Sequence, residues 1–590
     1  MNWSQELVDS SLWLLKAFTL TTAIAGAVLY ALAKSTVWGR QFWRLSGEYF
    51  SIRRNPRAVL TLLAILLITL FGVRMSVLFS QWYNQMYASL QKLDERLFWV
   101  SMWSFAGLAS VHVVRALTSY YLNQSFVIHW RQWLNERLLS RWVDKQAYFK
   151  SQYLATPADN PDQRLQQDVT SFAALSLSLS MGVIDALVST IEFTIILWGL
   201  SGVLELFGLE IPRGMVFVVY LYVIVATVFA FKIGKPLIRL NFLNEQLNAD
   251  YRYALVRLRE YGESVAFYRG EAVEGGKLRE RFSGIIGNAW AIVFRSLKFQ
   301  GFNFVVSQTA AVFPFIIQAQ RFFSKEITLG DMVQTAQAFG QLQDNLSFFR
   351  QAYDDFAGYR AVLDRLTGFV DAIEAADTLP SPTLEDGGRT LDVTGLNIRT
   401  PQARPLLADA SFSVEPGAPL LIRGRSGSGK TTLLRAIAGL WPYCEGRIRR
   451  PDGERLFLSQ KPYLPLGTLR EALCYPHPPA DDARAAQVLA DVQLGHLSER
   501  LDEAGDWSRI LSLGEQQRLA FGRLLLAAPR AAFLDEATSA MDEGLEHAMY
   551  ALVRARLPDL VLVSVGHRST LERHHPHKLE LTGEGRWHFA

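Results

Sequence analysis

The chain has 590 residues, half of them hydrophobic and 12% aromatic, too long for one ordinary domain and unusually apolar for a soluble enzyme of that size. A formal net charge of only +4 offers no global basic surface, so no nucleic-acid partner is expected. The two cysteines, Cys444 and Cys474, argue against a disulfide framework or a cysteine-based metal site and suit a reducing compartment for the last third of the chain.

The apolar residues gather in the first 350 positions. Windows of roughly 20 apolar residues, enough to cross about 30 Å of hydrocarbon, fall at 12–33, 58–80, 97–122, 183–207, 213–233 and 301–323, and a seventh, 328–350, is more polar. The first window is not expected to be a cleaved signal peptide. Met1–Asp9 carries Glu6 and Asp9 instead of a basic start, and the apolar run is long. The loop 34–57 holds Lys34, Arg40, Arg44, Arg53, Arg54 and Arg57 against one acid, Glu48, and the loops 123–182 and 234–300 are also basic. The connections near 81–96, 208–212 and 324–327 are short and not notably basic. Seven crossings from an outside N-terminus therefore put the basic segments, and everything after residue 350, in the cytoplasm.

Several spans carry ionisable groups: Lys16, Arg74, His112, Arg115, Asp185 and Glu192. A charge at the bilayer centre costs about 2.5–3.5 kcal/mol on insertion scales. Arg74, Arg115 and Asp185 lie near span ends and read as snorkelling; Glu192, deeper, reads as lumenal or paired. In the last window Gln334, Gln337, Gln341 and Asp344 share one helical face, with Asn345 and Ser347 beside it. That stripe, with Glu192, suits a water-filled cavity and hydrophilic cargo. The alternative is a helix that has already left the bilayer.

Segment 241–300 alternates charged and apolar residues at helical spacing, so the membrane helices are expected to run on into the cytoplasm. The fold class expected is a polytopic α-helical membrane domain followed by an α/β domain, which the G-x-x-x-x-G-K-T stretch at 424–432 makes a nucleotide-binding domain of P-loop type. The divisions are an extra helix with its basic loop (1–57), a six-helix membrane domain (58–372), a Pro/Gly/acid linker (373–389) and the nucleotide domain (390–590).

The chemistry concentrates in the last of these. Gly424, Arg425, Ser426, Gly427, Ser428, Gly429, Lys430, Thr431 and Thr432 read G-x-x-x-x-G-K-T between an apolar strand and a helix-forming run. Glycines let backbone N–H groups turn inward around phosphates, and the helix N-terminus adds its positive end. Lys430 would reach the β- and γ-phosphates of ATP, and the Thr431 hydroxyl would bind Mg²⁺. Downstream, the apolar strand of Arg530–Glu536 ends in two acids, Asp535 for Mg²⁺ and Glu536 as general base.

Between them lies LSLGEQQR, Leu511–Arg518, on which the chain resembles the ATP-binding cassette family. Against the usual LSGGQ the third and fifth residues are Leu513 and Glu515, with Ser512 and Gly514 kept. The resemblance continues through Gln460 in FLSQKPYLP, Asp542 in SAMD and His567 in SVGHR. It implies that Gln460 helps hold Mg²⁺ and the attacking water, that His567 contacts the γ-phosphate, and that Ser512 and Gly514 close on ATP held by another cassette. One cassette and one membrane domain then make a half-transporter that dimerises, most simply with itself. The family often stacks adenine on an aromatic residue before the phosphate loop. Here Leu396–Pro401 has none, and Arg399 is the available substitute.

In the long loops, NPDQRLQQDV (Asn160–Val169) and ESVAFYRGE (Glu263–Glu271) resemble the membrane domains of SbmA/BacA- and YddA-like bacterial transporters and of the peroxisomal ABCD transporters, and are expected to couple cassette to pore. WGRQFWR at Trp38–Arg44, YRYALVRLR at Tyr251–Arg259 and PLGTLRE at Pro465–Glu471 are most similar to the mycobacterial BacA-type fused permease–ATPases. The resemblance implies an exporter-type fold in a bacterial inner membrane and inward movement of cobalamin, antimicrobial peptides and other hydrophilic solutes. Export, or movement of lipid or acyl-CoA, is the alternative transport reading. A membrane-anchored ATPase that senses without translocating is the alternative outside transport.

Overall fold

The structure, a computed structural model, describes residues 3–154, 160–206 and 209–590, with the backbone alone at 3–4, 203–206, 209–210, 349–351 and 353–354. The window 183–207, the connection 208–212 and the loop 123–182 each include positions outside the described residues. The chain divides into two compact units, Met1–Leu139 with Asn160–Phe369, and Ser140–Asp159 with Val370–Ala590.

The first unit is built from long helices: α1 (Trp3–Ser35), α2 (Val37–Ser46), α3 (Pro56–Gln91), α4 (Glu95–Val143), α5 (Val169–Leu200), α6 (Gly214–Glu260), α7 (Glu271–Phe323) and α8 (Leu329–Asp377), of which α4 and α8 continue into the second unit. Local signals set their starts. Asn55 accepts from the Ala58 N–H at 3.3 Å, and Pro56 at the first helical position needs no N–H partner. Among the described residues, six helices are long and apolar enough to cross a membrane. The expected windows 12–33, 58–80, 97–122 and 301–323 lie wholly on them and 213–233 from Gly214 on, whereas 183–207 overruns its helix, which ends at Leu200 ahead of a short strand, Val203–Leu206. The more polar window 328–350 lies on α8, outside those six. At 1.5 Å per residue, α6 and α7 are about 70 and 80 Å long, far longer than a bilayer crossing. Val77 of α3, Phe193 and Leu197 of α5, Val219 and Val223 of α6, and Phe339 and Leu342 of α8 close one shared core.

Two desolvated charged groups in this unit, Arg74 and Asp168, are paired. Arg74 of α3 donates through Nη2 to Glu6 at 2.5 Å and through Nε to Ser10 at 2.9 Å, both on α1. Arg74 therefore does not snorkel; its side chain is 11% exposed and held by the extra helix. Asp168 accepts from Arg164 at 2.9 Å and from both prongs of Arg365, at 2.9 and 2.6 Å. A buried carboxylate needs such partners, so Arg164 and Asp168 of the NPDQRLQQDV motif form an internal brace between the start of α5 and α8.

In the second unit one sheet runs β6-β5-β1-β4-β3-β2, where β1 is Leu420–Gly424, β2 Arg455–Leu458, β3 Ala531–Asp535, β4 Val561–Val565, β5 His577–Gly583 and β6 Arg586–Phe589. All pairings except β5 with β6 are parallel. The central strand alternates as a doubly covered strand must: Leu421 enters one core, Leu420 and Ile422 the other. A second sheet joins Thr383–Asp386, Cys444–Arg450, Leu391–Arg399 and Pro405–Val414 in that order. Thr383–Asp386 lies inside the stretch expected as linker, yet pairs in parallel with Cys444–Arg450 as an edge strand.

Candidate nucleotide site

Parallel strands place their carboxyl ends along one edge, where ligands of open α/β sheets bind. Here β1, β2, β3 and β4 each deliver a predicted residue to that edge: Gly424, Gln460, Asp535 with Glu536, and His567. The phosphate loop joins β1 to helix α9 (Lys430–Ile437). Its Gly429 has φ +101°, a conformation that disfavours side chains, and a Cβ there would meet the Leu406 Cβ at 3.1 Å.

The side chains converge. Lys430, 7% exposed, donates to the carbonyls of Gly424 at 2.9 Å and Arg425 at 3.1 Å. Burial pulls its pKa below the ordinary lysine value, and Glu536 and Asp535 pull it back. Thr431 Oγ1 donates to Asp535 Oδ1 at 3.1 Å. Gln460 Nε2 donates to Glu536 Oε2 at 3.1 Å, and His567 Nε2 lies 3.3 Å from the other oxygen of Glu536. Glu536 has φ +50°, a left-handed strain of the kind that collects at functional sites. The Ser428 hydroxyl is buried without a protein partner, as a group waiting on a phosphate oxygen would be. Burial, and then the Glu536 charge, push the Asp535 carboxyl above the usual range; a divalent cation would reverse that.

The signature segment forms the start of helix α10 (Leu513–Ala527). Ser512 is its N-cap in a reciprocal box with Glu515, whose carboxylate accepts from the Ser512 N–H at 2.9 Å and hydroxyl at 2.7 Å. The hydrogen bonds from Ser512 hold the Glu515 carboxyl below its usual pKa. The departure at this position thus serves the helix cap. Gly514 is required by close approach, since a Cβ would sit 3.0 Å from the Ala540 carbonyl oxygen. Asp542 caps helix α11 (Glu543–Arg556) by accepting from the Leu545 N–H at 2.8 Å.

Arg399 is engaged through its backbone. Its carbonyl accepts from Trp441 at 2.9 Å, and its N–H donates to the Tyr443 carbonyl at 2.8 Å. The apolar side chain beside the phosphate loop is Leu406. Two sets of residues were not foreseen. Gln517, fully buried on α10, bonds to the Gln460 backbone and to the Ser539–Asp542 turn. Ala147–Tyr153 groups with the cassette, where Tyr153 meets Trp441 and Tyr443. The aromatic run Tyr148, Phe149 and Tyr153 was the only available sequence signal for it. Asn160–Val169 and Glu263–Glu271, the segments expected to couple, group with the membrane helices.

The cavity candidates divide. Gln334 is 7% exposed and accepts from Asn84 of α3 at 2.7 Å, so it joins two helices and does not open to a cavity. Glu192 accepts from Trp13 of α1 at 2.8 Å, which corrects the lumenal alternative in favour of the paired one. Gln337 is half-buried, while Gln341 and Asp344 are exposed.

Residues 48–323 match the family described as ABC transporter transmembrane region 2, and residues 407–539 the family described as ABC transporter. An ABC transporter ATP-binding protein of Haemophilus influenzae is 51% identical over the whole of both chains. The chain belongs to the ABC transporter family. The inner membrane ABC transporter ATP-binding protein YddA of Escherichia coli is 34% identical, over 88% of this transporter and 93% of YddA. The lysosomal cobalamin transporter ABCD4 of Homo sapiens is 30% identical, over 78% and 81%. A solved bacterial Atm1-family ABC exporter with ATP bound shares the fold, with a TM-score of 0.69 at 19% identity over 90% of this chain and 95% of that one. This ABC transporter is thus a multi-pass membrane protein whose ATPase domain hydrolyses ATP to drive transport.

Proposed function

We propose that two copies of this chain form an ATP-driven importer of hydrophilic solutes, cobalamin and peptides among them, in a bacterial inner membrane with the cassettes in the cytoplasm. Each cassette holds ATP by its phosphate-loop N–H groups and Lys430. Thr431, Asp535 and Gln460 would hold Mg²⁺, which would neutralise charge on the phosphate oxygens. Glu536 takes the proton from the attacking water, with Gln460 holding its carboxylate and His567 beside the γ-phosphate. Ser512 and Gly514 of the second copy close the site.

The observation that carries this reading is the convergence of Lys430, Thr431, Asp535, Glu536, Gln460 and His567 at one sheet edge, in a chain whose α8 keeps Gln341 and Asp344 exposed. The names of ABCD4 and YddA support the cargo class and the membrane. The test uses proteoliposomes preloaded with labelled cobalamin or a fluorescent peptide, with ATP supplied to outward-facing cassettes. The wild type should empty the vesicles of at least one solute, and Glu536→Gln should not. ATP-driven uptake of the same solutes supplied outside unloaded vesicles would mean export, and hydrolysis that moves neither solute in either direction would mean a sensor.

A further inference from the structure

Gln517 has no place in the mechanism above, yet it is fully buried and its amide makes three of the four hydrogen bonds open to it. Its Nε2 donates to the Gln460 carbonyl at 2.8 Å and to the Ser539 hydroxyl at 3.1 Å. Its Oε1 accepts from the Ala540 N–H at 3.0 Å. Three separate chain segments therefore meet on one amide: the signature helix that carries it, the loop after β2, and the turn after β3.

Two of those contacts, to Gln460 and Ser539, lead back to Glu536. The Gln460 whose carbonyl Gln517 holds is the residue whose side chain donates to Glu536 at 3.1 Å. Ser539, whose hydroxyl it holds, donates its own N–H to the Glu536 carbonyl at 3.0 Å. The same turn is gripped from its other side by Arg568, next to His567, which donates to the carbonyls of Ser539 at 3.1 Å and Met541 at 2.7 Å. Gly514 rests on the Ala540 carbonyl, so the signature helix cannot shift without pressing on this turn. A buried amide bonded on both ends resists such shifts because any displacement strands a polar group.

We infer that Gln517 is a positioning residue. It ties the signature helix to Gln460 and to the Ser539–Ala540 turn, and so sets the placement of the Glu536 carboxylate toward the water. Its own hydrogen bonds go to protein groups. The inference rests on the reading of Glu536 as the base, so the experiment separates the two.

The full-length protein in nanodiscs is assayed for ATPase kcat and KM and for ATP binding, as wild type, Glu536→Gln, Gln517→Glu and Gln517→Met. Gln517→Glu keeps the shape and the acceptor for Ala540 but sets a carboxylate against the Gln460 carbonyl. Gln517→Met keeps the volume and discards all three bonds. Both are expected to lower kcat by about tenfold or more, with KM and ATP binding within about twofold, the split that marks loss of transition-state placement. Wild-type kcat in Gln517→Met would make packing the whole of its role and overturn the inference. So would failure of both Gln517 variants to bind ATP, which would make the residue one of folding. Hydrolysis by Glu536→Gln would remove the base reading, whatever the Gln517 variants do.

Discussion

The Tyr443 hydroxyl donates to the carbonyl of Tyr153 at 3.0 Å, and the Tyr153 ring stands edge-on to Trp441 at 5.2 Å. Residue 153 follows the end of α4 by ten positions, and α4 belongs for most of its length to the membrane unit. Burial pushes the Tyr153 hydroxyl up in pKa, and a hydrogen bond with Arg435 on α9 pulls it back. Because α9 begins at Lys430, this small aromatic seat is tied to the helix that opens the phosphate site. Tyr153→Ala should therefore leave ATP hydrolysis within about threefold while transport falls by about tenfold, since an aromatic contact of ~1 kcal/mol and a hydrogen bond are lost away from the chemistry. Parallel phosphate-release and solute assays on one preparation check the ratio.

Asp535 is the carboxylate that the protein raises and a cation would settle. Asp535→Asn should raise the Mg²⁺ concentration for half-maximal hydrolysis by about tenfold, in the range that changes to metal ligands and their supporting residues give elsewhere. In the wild type the proton competes with the metal at a pH above the ordinary carboxylate range, because burial raises this group. Apparent Mg²⁺ affinity should then weaken as the pH falls through that raised value. A Mg²⁺ titration of ATPase activity at several pH values measures both effects.

His575 supplies a pH dependence of stability with a definite sign. Its Nδ1 lies 2.8 Å from the Leu571 carbonyl, which can only accept, so Nδ1 carries the proton and Nε2 accepts from the Ser564 hydroxyl at 2.9 Å. Burial lowers its pKa from 6.5 to about 4, with His574 and Arg554 adding positive charge nearby. The unfolded chain binds the proton first, so this contribution is complete above pH 6.5 and is lost as the pH falls toward about 4. At about 1.4 kcal/mol per pH unit the loss amounts to roughly 3 kcal/mol. Calorimetry of the full chain between pH 7 and 5 should show the cassette transition falling, and His575→Gln should flatten that fall.

The extra helix is held to the membrane unit by Glu6, Ser10 and Trp13 on α1 against Arg74 and Glu192. A double-mutant cycle of Trp13→Phe and Glu192→Ala should give a coupling of about 0.5–2 kcal/mol, as for other polar contacts between membrane helices. Thermal unfolding in detergent measures it. Additive effects would show that the pair does not hold the helix.

Period and composition made the long apolar helices and the α/β character of the last domain legible from the residues alone, and the order of its motifs came from the family resemblance. Lys430, Thr431, Asp535 and Glu536 were readable from the phosphate-loop pattern and the strand that ends in two acids, whereas Gln460 and His567 came only through the resemblance to the ATP-binding cassette family. Parallel strands bring these strand ends together. Partner choice was less legible. The face Gln334–Asp344 has one helical period, but Gln334 is taken by Asn84 on a helix some 250 positions away in sequence. Glu192 is taken by Trp13 in the same way, 179 positions away. Gln517 stood beside a recognised motif, and only the fold shows that its amide reaches Gln460 and Ala540. The stretch read as linker hid an edge strand, because the backbone partner that orders Thr383–Asp386 lies in Cys444–Arg450.

Each hydrolytic site is proposed to be built by two copies of this chain, with the phosphate loop of one and Ser512 and Gly514 of the other. Co-reconstitution of Lys430→Ala and Ser512→Arg chains tests this most directly. Neither forms a working site with itself, but a mixed pair combines one intact phosphate loop with one intact signature. With random pairing, half of the dimers are mixed and each carries one good site of two, so ATPase activity should return to about a quarter of wild type. Mixtures as inactive as the separate chains would contradict the account.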